Sequence, residues 1–308
     1  MFYPSERDKL FCEYSEHDFM FNTCDDSCDI IYASSISRLP QALEAKKKHN
    51  KPLVCWCWDI PYNWREWGMS EQGNRDNVHR DNINQQRVNE LKQCDLVITA
   101  SKWVQNGIKE KYGIDSIQMY SYIDTKGLDS IPNQEKMKKI TQISRFFYNK
   151  KFHQTVIATR DIGYDVHFFG TGISGNYGKE IKSTMRQFNQ NINIHDGAPR
   201  EELIKTIKQS TLIVSPSVFE GWGITPIEAL YCGIPVLLSD LPVFKEVYGD
   251  NVIYHERNNP EDMKEKLETI INDEVLQNKI VEDCQPIIRD FTPEKFANRW
   301  DEAIKNNI

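Results

Sequence analysis

No stretch of the 308 residues is apolar for long enough to cross a membrane; the longest hydrophobic runs have the length of a strand. The opening segment MFYPSERDKL lacks the apolar core of a secretory signal. There is no basic excess: 38 Lys and Arg stand against 45 Asp and Glu, a net charge of −7. That argues against a protein held on nucleic acid by phosphate contacts. Eight cysteines are present without a Cys-x-x-Cys pair. The close pairs, Cys24 with Cys28 and Cys55 with Cys57, have the wrong spacing for a zinc site. Without a signal the cysteines read as reduced cytosolic thiols, and Cys55 and Cys57, on one side of a strand, as core residues. No short repeat and no low-complexity segment occurs. A soluble cytoplasmic globular protein is expected, with at most peripheral membrane contact.

What is present is an alternation of short apolar runs and longer amphipathic segments. Strands are predicted at 29–35, 52–58, 96–101 and 116–122, and again at 140–144, 165–170, 192–197, 211–217, 235–240 and 251–255. Helical patterns such as RLPQALEAKKK, SKWVQNGIKEKYG and REELIKTIKQS fill the gaps. Strands alternating with helices predict an α/β fold with parallel sheets, and two such series predict two Rossmann-like, doubly wound domains facing a cleft. The polar stretch 124–139 reads as a linker, and its lysines, like Lys46–Lys48 at a helix end, as solvated. The expected domains are 1–135 including the linker, 136–290, and a final helix within 291–308.

Residues 219–240, FEGWGITPIEALYCGIPVLLSD, carry the densest chemistry. The order is strand, glycine loop, helix, glycine, strand. Such a loop offers free backbone N–H groups at a helix N-terminus, where phosphate binds well. Glu220 at its start can accept hydrogen bonds from sugar hydroxyls. The loop at Gly170–Gly172, the turn after His195 and Ser239–Asp240 also follow strands and should meet on the same rim. Ser34–Ser35, Trp58–Asp59 and Ser101–Lys102 follow strands in the first half.

These residues resemble a known family. ISRFFYNKKF, HFFGTG, IHDGAPREEL, SPSVFEGWGITPIEALYCGIPVLLSD and LPVFKEVYGDN occur in the order found in retaining glycosyltransferases of the GT-B fold, the family 4 group (glycosyl transferases group 1), which use nucleotide-sugar donors. KPLVCWCWDI, CDLVITASKWVQNGIKEKYG and YSYIDTKGL are similar to its first-domain segments, and FTPEKFANRWDEAIKNN to the last helix, which in that fold crosses back to the first domain. Two departures stand out. Residues 1–28 show no glycine-rich loop, so the first domain looks abbreviated. Trp58 stands where the family tends to carry a histidine; an indole cannot accept a hydrogen bond as imidazole does, but it can stack on a sugar ring on the acceptor side.

The resemblance implies roles. Arg145 and Lys150, with Lys151 as a substitute, would hold the donor diphosphate, where fixed cations stabilise the charge that grows on the leaving group. Glu220 would bind and orient the transferred sugar. Gly221, Trp222, Gly223, Ile224 and Thr225 would give backbone N–H groups, the glycines allowing close approach. Glu228 would bind the ribose hydroxyls; Thr225-Pro226-Ile227-Glu228 also reads as a capping box with Thr225 as N-cap. Gly170, His195 and Gly197 lie where the family holds the nucleotide, His195 equally as packing. Asp59 is either a base or acceptor contact or a strand-end residue. No Asp-x-Asp motif is present, which fits cation contacts from Arg145 and Lys150 with no required metal or cofactor. The function implied is transfer of a hexose from a UDP- or GDP-sugar to a carbohydrate, glycolipid or small-molecule hydroxyl, with retention. The rival readings are a catalytically silent nucleotide-sugar-binding subunit and another GT-B enzyme such as an epimerase.

Overall fold

The computed structural model of the protein describes residues 11–17, 25–61 and 74–308, of which 11 and 74–82 by backbone alone. Cys24 and most of the opening segment without a glycine loop fall outside these residues. The chain forms two compact units, one of Met1–Asp124 with Phe291–Ile308 and one of Thr125–Asp290.

The first unit contains a parallel sheet of β1 (Ile31–Ala33), β2 (Leu53–Cys57), β3 (Leu96–Thr99) and β4 (Ile117–Gln118), in that spatial order. Every residue of β2 is buried, as a central parallel strand covered on both faces requires. Leu53, Cys55 and Cys57 join a core with Leu39, Leu43, Val104 and Ile108 from the helices Leu39–His49 and Lys102–Tyr112. Burial pushes both β2 thiols well above their ordinary range. The alternate residue Trp56 packs instead on Phe296, with 5.3 Å between ring centroids, from the helix Pro293–Asn307.

The second unit carries six parallel strands: β5 (Lys139–Ile143), β6 (Asp165–Gly170), β7 (Asn193–Asp196), β8 (Leu212–Ser215), β9 (Val236–Ser239) and β10 (Ile253–His255). Their spatial order is β10-β9-β8-β5-β6-β7. The chain runs outward from β5 to β7, returns to lay β8 beside β5, and runs outward the other way. The reversal puts a topological switch point between β5 and β8.

The linker expected at 124–139 is solvated through its middle, where residues 135–138 are exposed, but not at its two ends. Its start forms the helix Thr125–Asp129, tied to the second unit by a 2.8 Å hydrogen bond from the Tyr231 hydroxyl to Asp129. Its end, Lys139, is the first residue of β5, paired in register with Asp165 and 6% exposed. Its ammonium reaches Gln209 Oε1 at 2.9 Å. A long aliphatic stem lets a lysine open a buried strand while its charge finds a polar partner. Among the described residues no helix is long and apolar enough to cross a membrane.

Candidate active site

The site is assembled at the β5–β8 switch. After β5 the chain passes Ser144 and Arg145 and makes a short 3-10 turn, Tyr148–Lys150. Gln142 in β5 holds this turn, donating to the Lys150 carbonyl at 2.6 Å while accepting from the Thr155 hydroxyl at 2.6 Å. The loop after β8 is stitched to it: Val218 N–H donates to the Asn149 carbonyl at 2.8 Å, and Asn149 Nδ2 donates to the Phe219 carbonyl at 3.3 Å. These bonds bring Lys150 Nζ to 2.5 Å from Glu220 Oε1, with side chains only 12% and 17% exposed. Ser217, itself buried, donates its hydroxyl to the same oxygen at 2.8 Å. Its carbonyl receives the Ser239 hydroxyl from the end of β9 at 2.5 Å.

Of the two lysines it is Lys150 that reaches Glu220. Lys151 adopts a left-handed backbone (φ 50°), is buried, and has its ammonium 4.7 Å from the centre of the Tyr148 ring. Arg145 is exposed on the same loop with its guanidinium 5.1 Å from the Phe147 ring centre; it forms no ion pair among the described residues.

Gly221 and Trp222 are buried, and Gly223 (φ 88°) enters the helix Ile224–Tyr231. The first N–H groups of that helix, including those of Ile224 and Thr225, have no carbonyl four residues back to bond. This start corrects the capping-box reading. The cap position belongs to Gly223, so Thr225 already lies inside the first turn, where its hydroxyl donates to the Ile143 carbonyl at 3.4 Å. Pro226 is tolerated because a first-turn N–H is not needed. Glu228 therefore sits too far along to cap. It is buried, and the Arg200 guanidinium grips it with Nη2–Oε1 2.5 Å and Nη1–Oε2 3.1 Å. Arg200 was not among the residues assigned from the sequence. It opens the helix Arg200–Gln209 after β7, and its one signal was indirect: a glutamate inside an apolar helix needs a counter-charge.

The neighbouring strand ends are laced into the same rim. Phe146 N–H donates to the Thr171 carbonyl at 2.9 Å, Gly197 N–H to the Gly170 carbonyl at 2.8 Å, and Gly172 N–H to Asp196 at 3.0 Å. A Cβ on Gly170 would lie 1.9 Å from the Ser144 carbonyl oxygen, so only glycine lets β6 end against the β5 loop. His195 packs its ring on Phe169 at 4.0 Å and 5° and bonds outward, Nδ1 to Glu202 at 3.1 Å and Nε2 to His167 at 3.1 Å. Burial lowers the His167 pKa to about 4. In the first unit, Trp58 and Asp59 follow β2. The Trp58 indole N–H donates to the Ser34 carbonyl at 3.0 Å, and the Asp59 carbonyl lies 3.2 Å from Cys57 Sγ. Among the described residues no three or more His, Cys, Asp or Glu side chains converge as a metal ion would require.

The arrangement resolves into a lysine and a glutamate at a sheet switch point, a glycine loop opening a helix, and a second, clamped glutamate one turn along. The sequence model for glycosyl transferases group 1 matches residues 126–285, the whole stretch holding these groups. The chain belongs to the glycosyl transferases group 1 family. Among curated relatives, an uncharacterized glycosyltransferase of Methanocaldococcus jannaschii is 24% identical over 65% of this chain and 56% of its own. The O-antigen chain mannosyltransferase RfbU of Salmonella typhimurium is 26% identical over 62% of this chain and 54% of its own. The chain thus matches about half the length of these relatives. Among solved structures, sucrose-phosphate synthase from Thermosynechococcus elongatus superposes with a TM-score of 0.75 at 15% identity, over 90% of this chain and 73% of that one. Anabaena HepE in complex with UDP and glucose gives 0.74 at 17%, over 91% and 78%. The α/β fold of this chain is the GT-B fold of those neighbours.

Proposed function

We propose that this chain is a retaining, family 4 glycosyltransferase that moves a hexose from a UDP- or GDP-sugar to an acceptor hydroxyl, with no metal and no cofactor required. The observation that carries the reading is the Lys150–Glu220 pair at the β5–β8 switch, the place where open α/β sheets bind their ligands. In this reading the diphosphate takes over Lys150, and Arg145 swings from the Phe147 ring to join it. Glu220, released from Lys150 but still held by Ser217, turns to the sugar hydroxyls. As the glycosidic bond breaks, charge accumulates on the leaving diphosphate, and the two cations stabilise it more than they stabilise the intact donor. The departing phosphate oxygen takes the proton of the acceptor hydroxyl, which attacks on the same face, so no protein base is needed. The N–H groups from Gly221 to Thr225 supply further donors to sugar and phosphate.

Neighbours support the donor class: HepE was solved with UDP and glucose, and TarM of S. aureus with UDP. O-antigen relatives favour a glycolipid or lipid-linked acceptor, and with it peripheral contact with a membrane. Acceptor contacts are assigned to the first unit, to Trp58 as a stacking platform and to Asp59.

The test is nucleotide release over a panel of UDP- and GDP-sugars, with wild type beside Glu220→Ala and Arg145→Ala. Both changes should lower turnover by roughly 100-fold or more. An active wild type whose turnover neither change reduces refutes the site. Tight donor binding without hydrolysis or transfer over a wide acceptor panel identifies a silent nucleotide-sugar-binding subunit instead.

A further inference from the structure

We infer that Arg200 is the positioning residue for Glu228, holding its carboxylate in the one plane that can receive both hydroxyls of a ribose diol. The inference rests on the reading of Glu228 as the ribose contact. The two residues come from different parts of the rim, Arg200 from the turn after β7 and Glu228 from the helix after β8. The guanidinium places one N–H on each carboxylate oxygen, 2.5 and 3.1 Å away. Among the described residues Arg200 makes every hydrogen bond that the Glu228 side chain receives.

A planar fork on both oxygens fixes the rotation of the carboxylate as no single donor can. A carboxylate has about four lone-pair sites. The fork uses one on each oxygen and leaves one on each oxygen, which matches two neighbouring O–H donors. The diol can therefore bind without displacing Arg200, and Arg200 compensates a charge that would otherwise stand alone in a buried place. Without the fork the carboxylate turns freely and spends its lone pairs on water. Arg200 touches no reacting atom in this account; it acts through Glu228.

A structural role and a positioning role differ in what they do to 2′-deoxy and 3′-deoxy nucleotides. Binding of UDP, its two deoxy forms and the corresponding GDP series is measured by calorimetry on wild type, Arg200→Met, Arg200→Lys and Glu228→Gln, with thermal melts to confirm folding. Wild type should prefer the ribonucleotide by roughly 10- to 100-fold, the scale of hydrogen bonds to a charged group. Arg200→Met should collapse that preference while leaving deoxynucleotide binding within about threefold of wild type. Arg200→Lys should restore part of it, because an ammonium reaches one oxygen but cannot fork. A preference kept in Arg200→Met but lost in Glu228→Gln overturns the inference and leaves the ribose reading standing. So does an equal loss for all nucleotides, or tighter ribonucleotide binding in Arg200→Met, which would make Arg200 an occupant of the diol's place. A wild type that does not discriminate, or that binds neither series, overturns the ribose reading and the inference with it.

Discussion

Replacing Lys150 by methionine separates what the ion pair does for the fold from what the cation does for the reaction. Lys150 Nζ lies 2.5 Å from Glu220 Oε1, and the two side chains are 12% and 17% exposed. Removing one partner of a fully buried pair costs about 3–5 kcal/mol, most of it the stranded charge. Here Ser217 still donates to the same oxygen, and the residual exposure admits water. The cost should fall to about 1–3 kcal/mol, or roughly 2–10 °C in melting temperature for a unit of this size. Changing Glu220 to glutamine in the same chain removes the stranded charge, so the double variant should regain part of that stability. Catalysis should not follow. A fixed cation facing the developing diphosphate charge is worth about 10²- to 10³-fold in kcat, and the double variant lacks it as fully as Lys150→Met does. The assay is a denaturant midpoint beside kcat for nucleotide release with the best donor. A double variant that regains both, or a Lys150→Met enzyme within about threefold of wild type where about 100-fold is expected, would show the pair to be structural only.

Two further outcomes follow from the geometry. Alanine at Gly170 meets the Ser144 backbone oxygen at 1.9 Å, whereas alanine at Gly223 (φ 88°) meets the Phe244 ring edge at 2.5 Å. The ring can yield and the carbonyl cannot, so Gly170→Ala should cost above about 3 kcal/mol and Gly223→Ala about 1–3 kcal/mol in urea unfolding; the reverse order contradicts the packing. Burial, with Lys151 nearby, lowers the His153 pKa to about 4, and the Tyr177 hydroxyl lies 2.9 Å from its Nδ1, so the ring is held neutral. The unfolded state binds the proton more readily below pH 6.5, so stability is fully present above 6.5 and is lost as pH falls toward 4. His153→Phe should abolish about 1–2 kcal/mol of the difference between pH 7.5 and pH 5, and an unchanged slope refutes the assignment.

The ten strands of the described residues were legible as short apolar or alternating runs between helical segments, most plainly β2 and β8, whose burial on both faces leaves them apolar. Their order in the sheet was not, since periodicity does not say on which side of β5 the strand β8 will lie. Lys150 and Glu220 were named from motifs, but their meeting depends on that order and on the Asn149 bonds between the two loops. The cap at Thr225 was misread by two residues because Gly223, in a left-handed conformation, starts the helix early. Lys139 was misread because a charged residue after a polar stretch looks solvated until its strand partner is known. Arg200 was overlooked because an arginine opening an amphipathic helix looks like any other, and only the fold shows which carboxylate it faces.

The helix Pro293–Asn307 has a consequence for the order in which the molecule is made. It belongs to the unit that the ribosome delivers first, where Phe296 covers Trp56 and Tyr122 and Trp300 covers Tyr32. The stretch Thr125–Asp290 is continuous and can close its sheet as soon as it emerges. The earlier strands cannot. One face of β2 waits for the helix Pro293–Asn307, an interval on the order of ten seconds or more at ordinary rates of synthesis. The half synthesised first is thus finished last.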